Sequence, residues 1–362
     1  MSKIKSLSIS GFKSIRRLEN FELRDLNVLI GANGAGKSNF VSFLEMLKEL
    51  YFRRLQMCIA KVGGSDRILT FGPAVTQQLS ASIKLQDTKY EFVLEPTVGN
   101  ALVFASETIE GAKQGRLLGA GYQESFAFSP RESLDVDVDY QACLAALSGF
   151  RIFHFHDTSN TAGIKRMAAV HDDAALRQDG SNLAAFLLML KSRHRDEYEQ
   201  IRKAIQLAIP FFDDFHLQPR SLSAGEQQVN LVWKQRDSDY PFWPSQLSDG
   251  SIRFICLVTA LLQPHPPSTI IIDEPELGLH PYAITLLGSL LKSASKRMQV
   301  VVSTQSVPLV NQFSIEDLII VEREGGASVF KRHNEIDYQQ WLEDYSVGEL
   351  WEKNILGGRP PK

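Results

Sequence analysis

Gly31-Ala32-Asn33-Gly34-Ala35-Gly36-Lys37-Ser38 decides how this chain folds. The spacing is G-x-x-x-x-G-K-[ST], the pattern of a phosphate-binding loop. Asn27-Val28-Leu29-Ile30, just before it, is apolar and β-branched and predicts a buried strand. Residues 39–50, just after it, carry helical apolar spacing, and that helix is expected to run, with a break, to about Ala60. Strand, glycine loop and helix together aim backbone N–H groups and a helix N-terminus at a phosphate. Gly31 and Gly36 permit the turns and the close approach that a side chain would block. The nucleotide contacts read from the motif are Asn33, Gly34, Ala35, Gly36 and Lys37, with Asn39 in the first helical turn. Lys37 is expected on the β- and γ-phosphates and the Ser38 hydroxyl on Mg²⁺, so ATP and Mg²⁺ are the implied ligands.

A second motif agrees with the first. Thr269-Ile270-Ile271-Ile272-Asp273-Glu274-Pro275-Glu276 is an apolar, β-branched run ending in carboxylates. It reads as a buried parallel strand that delivers Asp273 and Glu274 to its carboxyl end. Asp273 is expected to hold Mg²⁺ through its shell. Glu274 is expected to orient or deprotonate the attacking water. Between the two motifs lies Gln246-Leu247-Ser248-Asp249-Gly250-Ser251, followed by an apolar helix to Leu262.

Loop, long insertion, LSDG before a helix, then IIIDEP: in this order the chain resembles the ABC-type ATPase superfamily. GFKSI near the start, GANGAGKSN and DEPELGLHP resemble the branch that holds RecF, SMC proteins and OLD-like ATPases. The likeness runs nearly end to end. It is greatest to the stand-alone ATPases of the OLD-like group, the segment SVGELW near the C-terminus included. The resemblance implies an α/β P-loop head with an antiparallel β subdomain and a largely helical second lobe. It also implies an ATP-dependent homodimer, or a higher assembly of it, in which Ser248 and Gly250 of one chain bind the γ-phosphate held by the other. A helix start with a serine hydroxyl and free N–H groups suits such an anion site, though Ser248 or Asp249 as an ordinary N-cap remains the alternative. Leu222-Ser223-Ala224-Gly225-Glu226-Gln227 is closer to a transporter signature, but a strand is expected after it, and Ser248 is preferred for that reason.

Other positions carry roles by resemblance alone. Gln305, after an expected strand at residues 299–302, stands where relatives often have a histidine. It can hydrogen-bond the γ-phosphate or water but cannot become cationic. Lys13 matches a stretch that lies near the base or phosphates in relatives, and is equally readable as a solvated charge. Leu279-His280 matches the loop that faces the partner subunit. His154, His156 and Asp157 sit at the end of an expected strand over residues 151–156. They admit three readings: a metal site, a replacement for the glutamine that senses Mg²⁺ and water, or buried histidines with hydrogen-bond partners.

Residues 1–156 are expected to form the nucleotide-binding lobe with a β meander over residues 77–104. Residues 157–250 are expected to form the inserted helical and signature lobe, and residues 251–362 to return to the core. Residues 61–72 read as a loop, residues 106–130 as a surface hairpin or loop, and two strands are expected near residues 215–217 and 229–233. The 362 residues are 44% hydrophobic and carry a net charge of −3, which gives no global basic signal for nucleic acid. Three scattered cysteines fit neither a disulfide framework nor a zinc knuckle and suggest a reducing compartment. With no signal peptide and no apolar run of membrane length, a cytoplasmic protein without membrane contact is expected.

By resemblance the client is DNA or a DNA-acting effector in repair or phage defence. The local basic candidates are Arg53, Arg54 and Lys61, and Lys191, Arg193 and Arg195. OLD proteins carry a Toprim nuclease. This chain ends too soon after its core to hold one, so a nuclease or other effector is expected as a separate protein. The rival readings are the energy-coupling subunit of a membrane transporter and a non-hydrolysing nucleotide-gated scaffold.

Overall fold

A hairpin opens the chain: β1 (Ser6–Phe12) and β2 (Ile15–Glu22) meet at a turn in which Lys13 takes φ 47°. β3 (Leu26–Ile30) leads into the phosphate loop and α1 (Lys37–Tyr51), followed by α2 (Leu55–Val62) and the single turn α3 (Ser65–Ile68). The meander comes next: β4 (Leu79–Lys84), β5 (Lys89–Pro96), β6 (Leu102–Glu110) and β7 (Gly115–Gly119). With the opening hairpin it forms one antiparallel sheet of order β2-β1-β4-β5-β6-β7. α4 (Val138–Ser148) then leads to β8 (Phe150–Phe153). This computed structural model describes residues 3–111, 115–128, 138–222 and 225–359.

The middle of the chain holds β9 (Ala168–Ala169), α5 (Leu183–Arg193), α6 (Arg195–Ala208) and β10 (Phe212–Phe215). It continues with β11 (Arg220–Ser221), β12 (Gln227–Val229), β13 (Trp233–Gln235) and β14 (Pro241–Phe242). These strands make two small sheets, β10-β13-β14 and β11-β12-β9. The chain then returns through α7 (Asp249–Leu262), β15 (Thr269–Asp273), α8 (Pro281–Ser295), β16 (Gln299–Ser303) and α9 (Val307–Val310) to β17 (Leu318–Glu324) and β18 (Ala327–Lys331).

The second large sheet has the order β18-β17-β3-β16-β15-β8, parallel throughout except for the edge strand β18. Its inner strands are β-branched and buried on both faces, the composition a covered parallel sheet requires. Alternation divides them between two cores. Val28, Ile30, Ile270, Ile272, Val300 and Val302 pack with α5 to α8 on one face. Leu29, Ile271 and Val301 pack on the other with α1 and the antiparallel sheet. Each such side chain contributes about 1.5–3 kcal/mol by leaving water. Because the strands are parallel, their carboxyl ends lie along one edge. Gly31, Asp273, Ser303 and the residues after Phe153 all emerge there.

Four local expectations are corrected. Residues 61–72 contain α3. Gly63 and Gly64 at positive φ end α2, and the Asn100 side chain then accepts from Ser65 Oγ at 2.7 Å and Asp66 N at 3.1 Å. The strand expected over residues 151–156 stops at Phe153, where the next amide, His154 N, donates to Gln178 O instead of a ladder partner. The strand expected near residues 229–233 is two strands of different sheets, separated by a turn in which Val232 N donates to Asn230 O. The strand expected near residues 215–217 is β10 and ends at Phe215. Within residues 106–130, β6 and β7 form a hairpin whose tip, residues 112–114, lies outside the described residues.

Candidate nucleotide site

Gly31 and Gly36 sit where only glycine fits. A Cβ on Gly31 (φ 153°) would lie 2.2 Å from Val321 O, and one on Gly36 (φ 119°) would lie 1.9 Å from Ser328 Oγ. α1 starts at Gly36 without a side-chain cap. Its first N–H groups therefore remain to meet an anion. Lys37 is 5% exposed, and its Nζ donates to Gly31 O at 2.7 Å and Ala32 O at 3.1 Å. Burial pulls its ammonium below the usual lysine range, while Glu274, Asp273 and Glu276 act in the opposite direction. Ser38 and Asn33 are exposed at the mouth of the loop.

A chain of polar side chains fixes the loop from behind. Asn39 Nδ2 donates to Ser14 Oγ at 2.6 Å, Ser14 Oγ lies 2.6 Å from Ser328 Oγ, and Ser328 Oγ donates to Ala35 O at 2.5 Å. Since Ser328 commits its proton to Ala35, Ser14 is the donor between the two serines. Arg323 Nη1 adds a bond to Gly34 O at 3.2 Å. Asn39 thus spends its amide on Ser14. Ser14 belongs to the Phe12-Lys13-Ser14 stretch that carries the resemblance, whereas Ser328 and Arg323 are not legible as site residues in the sequence, because each is joined to the loop by the fold alone.

On the neighbouring strands, Ser303 donates to Asp273, with which it is in register. Glu274 takes φ 44°, an uncommon conformation for a residue with a Cβ, and its N–H donates to Ser303 O at 2.9 Å. Gln305 Nε2 donates to Glu274 Oε1 at 2.6 Å. Glu276 is buried beside them, and burial pushes its carboxyl above the usual range with Glu274 adding to the effect. The structure therefore brings together Lys37, Asp273, Glu274 and Gln305.

Lys13 sits in the turn between β1 and β2, next to Ser14. Burial draws its ammonium down, and Glu45, two turns along α1 from Lys37, acts in the opposite direction. His154 Nε2 lies 2.6 Å from the same Glu45. Among the described residues no group of three histidine, cysteine or acidic side chains is arranged to hold a metal. His156 is different. Its imidazole is held below the usual histidine range by burial first and by Arg253 second, and Asp273 and Glu274 pull against them.

Ser248 is the N-cap of α7. Its Oγ accepts from Ser251 N at 3.1 Å, and Asp249 in the first turn complements the helix dipole. Ser223 and Ala224 lie outside the described residues. Antiparallel strands, β11 and β12, flank them. Gly250 packs so closely on the segment after β15 that a Cβ would lie 2.1 Å from Gly278 O. Arg253 ties the same junction together: Nε donates to Phe155 O at 2.9 Å, Nη2 to His156 O at 3.2 Å, and Nη1 to Leu277 O. A lysine has one point charge and cannot span three carbonyls. Arg253→Lys is expected to lower stability by about 2 kcal/mol through lost charged hydrogen bonds. The shift of the urea unfolding midpoint measures this.

Comparisons with known proteins bear on the fold. A family model described as an AAA ATPase domain matches residues 2–99. A second, described as an AAA domain, putative AbiEii toxin, type IV TA system, matches residues 151–311. A solved Smc head bound to the C-winged helix domain of ScpA aligns at TM-score 0.60 and 12% identity, over 93% of this chain and 99% of that one. The chain has the fold of this Smc head, and AAA family models match two stretches of it. A further Smc head from Pyrococcus furiosus, with an extended coiled coil and bound to the C-terminal domain of ScpA, aligns with this chain at TM-score 0.60 and 12% identity. That alignment covers 95% of this chain and 99% of the other. No curated protein matches the chain. Among its described residues no helix is long and apolar enough to cross a membrane.

Proposed function

We propose that this head binds and hydrolyses ATP, and that two copies close around two nucleotides to drive a DNA-related process, in repair or phage defence, through a separate effector protein. One observation carries the reading: Lys37, Asp273 and the Gln305–Glu274 pair converge at the carboxyl ends of three adjacent strands. The residues fit a nucleotide. The loop leaves no room for a Cβ at Gly36, the start of α1 is uncapped, and a buried lysine waits on weak carbonyl partners. Ser38 and Asp273 would hold Mg²⁺, which supplies charge neutralisation between the β- and γ-phosphates. Lys37 binds the phosphates. Glu274 accepts the proton of the attacking water, and Gln305 orients it. Ser248 and Gly250, at the start of α7, would face the γ-phosphate held by the second copy.

Dimerisation is supported by exposed apolar side chains next to the site, Leu277 at 42% and Tyr282 at 52% exposure, on either side of Leu279-His280. The bound ScpA domains of the Smc heads support a separate partner protein, and the toxin description of one family model supports a defence setting. Contact with DNA would have to come from a local face. Of the basic candidates, Arg54 pairs with Glu49 at 2.7 Å, Lys191 with Asp214 at 2.7 Å and Arg195 with Glu199 at 2.9 Å. Those pairs weaken the surface field, so DNA binding is expected only at low salt. The non-hydrolysing scaffold remains the second reading, because the Gln305 amide already occupies the Glu274 carboxylate.

Phosphate release with Mg²⁺, with and without duplex DNA at low salt, tests both readings. Turnover that Glu274→Gln removes supports hydrolysis. ATP binding without turnover in either condition supports the scaffold. Turnover unchanged by DNA, with no binding to it, removes DNA as a direct partner.

A further inference from the structure

Glu276 ends the run Asp273-Glu274-Pro275-Glu276, and the reading above gives it no part. Its side chain is 8% exposed. The chain turns tightly after the acidic strand, with Leu277 N donating to Glu274 O at 3.3 Å, and this brings Glu276 back over the end of β16. There Oε1 accepts from Thr304 Oγ1 at 2.5 Å and from Gln305 N at 3.2 Å. Oε2 is buried and has no hydrogen-bond partner among the described residues.

A buried carboxylate with one oxygen unsatisfied works against stability, and an apolar side chain of the same size would carry no such cost. An unsatisfied group of this kind asks for another reason to be there. The reason lies in the pair of donors at Oε1, which belong to the first two residues past β16. Thr304 N is itself bonded to Leu29 O at 3.0 Å, so this corner is fastened to the strand that carries the phosphate loop. From that corner Gln305 sends its amide to Glu274 Oε1 at 2.6 Å. A continuous path runs from Glu276, through the Gln305 backbone, to the carboxylate that is read as the base.

We propose that Glu276 is a positioning residue that fixes the Gln305 backbone, so that the Gln305 amide holds Glu274 in the orientation that takes a proton from water. The proposal rests on the reading of Glu274 given above. Methionine at 276 fills the space but accepts nothing; glutamine keeps one accepting oxygen. Glu276→Met is expected to lower kcat by roughly tenfold or more, since small misplacement of a catalytic group is costly. Its KM for ATP should stay within about threefold of the native chain's, because the phosphate contacts are untouched. The melting temperature should fall only modestly, because losing the unsatisfied carboxylate oxygen offsets part of the cost of the two donors left without an acceptor. Glu276→Gln should keep kcat within about threefold. In a Gln305→Ala background, adding Glu276→Met should change kcat by less than about twofold, since effects transmitted through one residue do not add.

Steady-state turnover of the four variants, with calorimetric ATP binding and thermal melts alongside, tests this. Unchanged kcat in Glu276→Met overturns the proposal. So do penalties that multiply with Gln305→Ala. A Glu276→Met chain that fails to fold marks a structural strut and overturns it as well. A native chain without any turnover overturns the reading of Glu274 and this proposal together, whereas an active native chain indifferent to Glu276→Met overturns the positioning role alone.

Discussion

Lys37→Ala is expected to weaken ATP binding by about 100-fold or more. The native ammonium rests on Gly31 O and Ala32 O, buried at the base of the loop. These neutral acceptors are exchanged for phosphate oxygens when nucleotide enters. A hydrogen bond to a charged group contributes about 1.5–3 kcal/mol, and two to the β- and γ-phosphates amount to roughly 3 kcal/mol or more. Each 1.4 kcal/mol is about tenfold in affinity. The loop itself should persist, because Ser328, Asn39 and Arg323 hold it through Ala35, Ser14 and Gly34. Titration calorimetry reads the affinity, and circular dichroism checks the fold. Affinity equal to that of the native chain would mean that nucleotide binds somewhere else.

Glu274→Gln separates binding from chemistry. The amide keeps the shape of the side chain but does not accept a proton. Removal of a general base lowers turnover by on the order of 10²- to 10⁴-fold. Lys37, Ser38 and Asp273 are untouched, so ATP affinity should stay within about threefold. Phosphate release under saturating ATP measures the first quantity and calorimetry the second. Loss of both together would place Glu274 in binding and remove it as the base.

The phosphate loop and the acidic strand were legible because each is a contiguous run whose chemistry and local conformation coincide. The unbroken apolar run Ile270-Ile271-Ile272 also foretold a buried strand, and the period-two pattern of the meander marked the antiparallel sheet. What escaped was made by the fold between distant residues. Ser14 and Ser328 meet behind the loop although 314 positions separate them. Glu276 and Thr304 meet because a tight turn lies over the next strand. Arg253 binds carbonyls, and a carbonyl has no sequence signature. Strands of two or three residues, such as β9, β11 and β14, are too short to show a period. The end of β8 was misjudged because His154 bonds to Gln178, a loop residue 24 positions away that no pattern connects to it.

The central claim is that Ser248 of one copy completes the nucleotide site of another. If it does, ATP and dimerisation favour each other by the same free energy. The decisive measurement is light scattering of Glu274→Gln with Mg²⁺ and ATP, alone and combined with Ser248→Arg. Glu274→Gln should scatter as a dimer with ATP and as a monomer without it. Ser248→Arg should abolish the dimer by placing a bulky side chain at the γ-phosphate. Its lost helix cap costs only about 1 kcal/mol, so each separate chain should fold and bind ATP as before. An ATP-dependent dimer that survives Ser248→Arg and is broken by Ser223→Arg would contradict the assignment. Scattering by a monomer at every ATP concentration would contradict the sandwich itself.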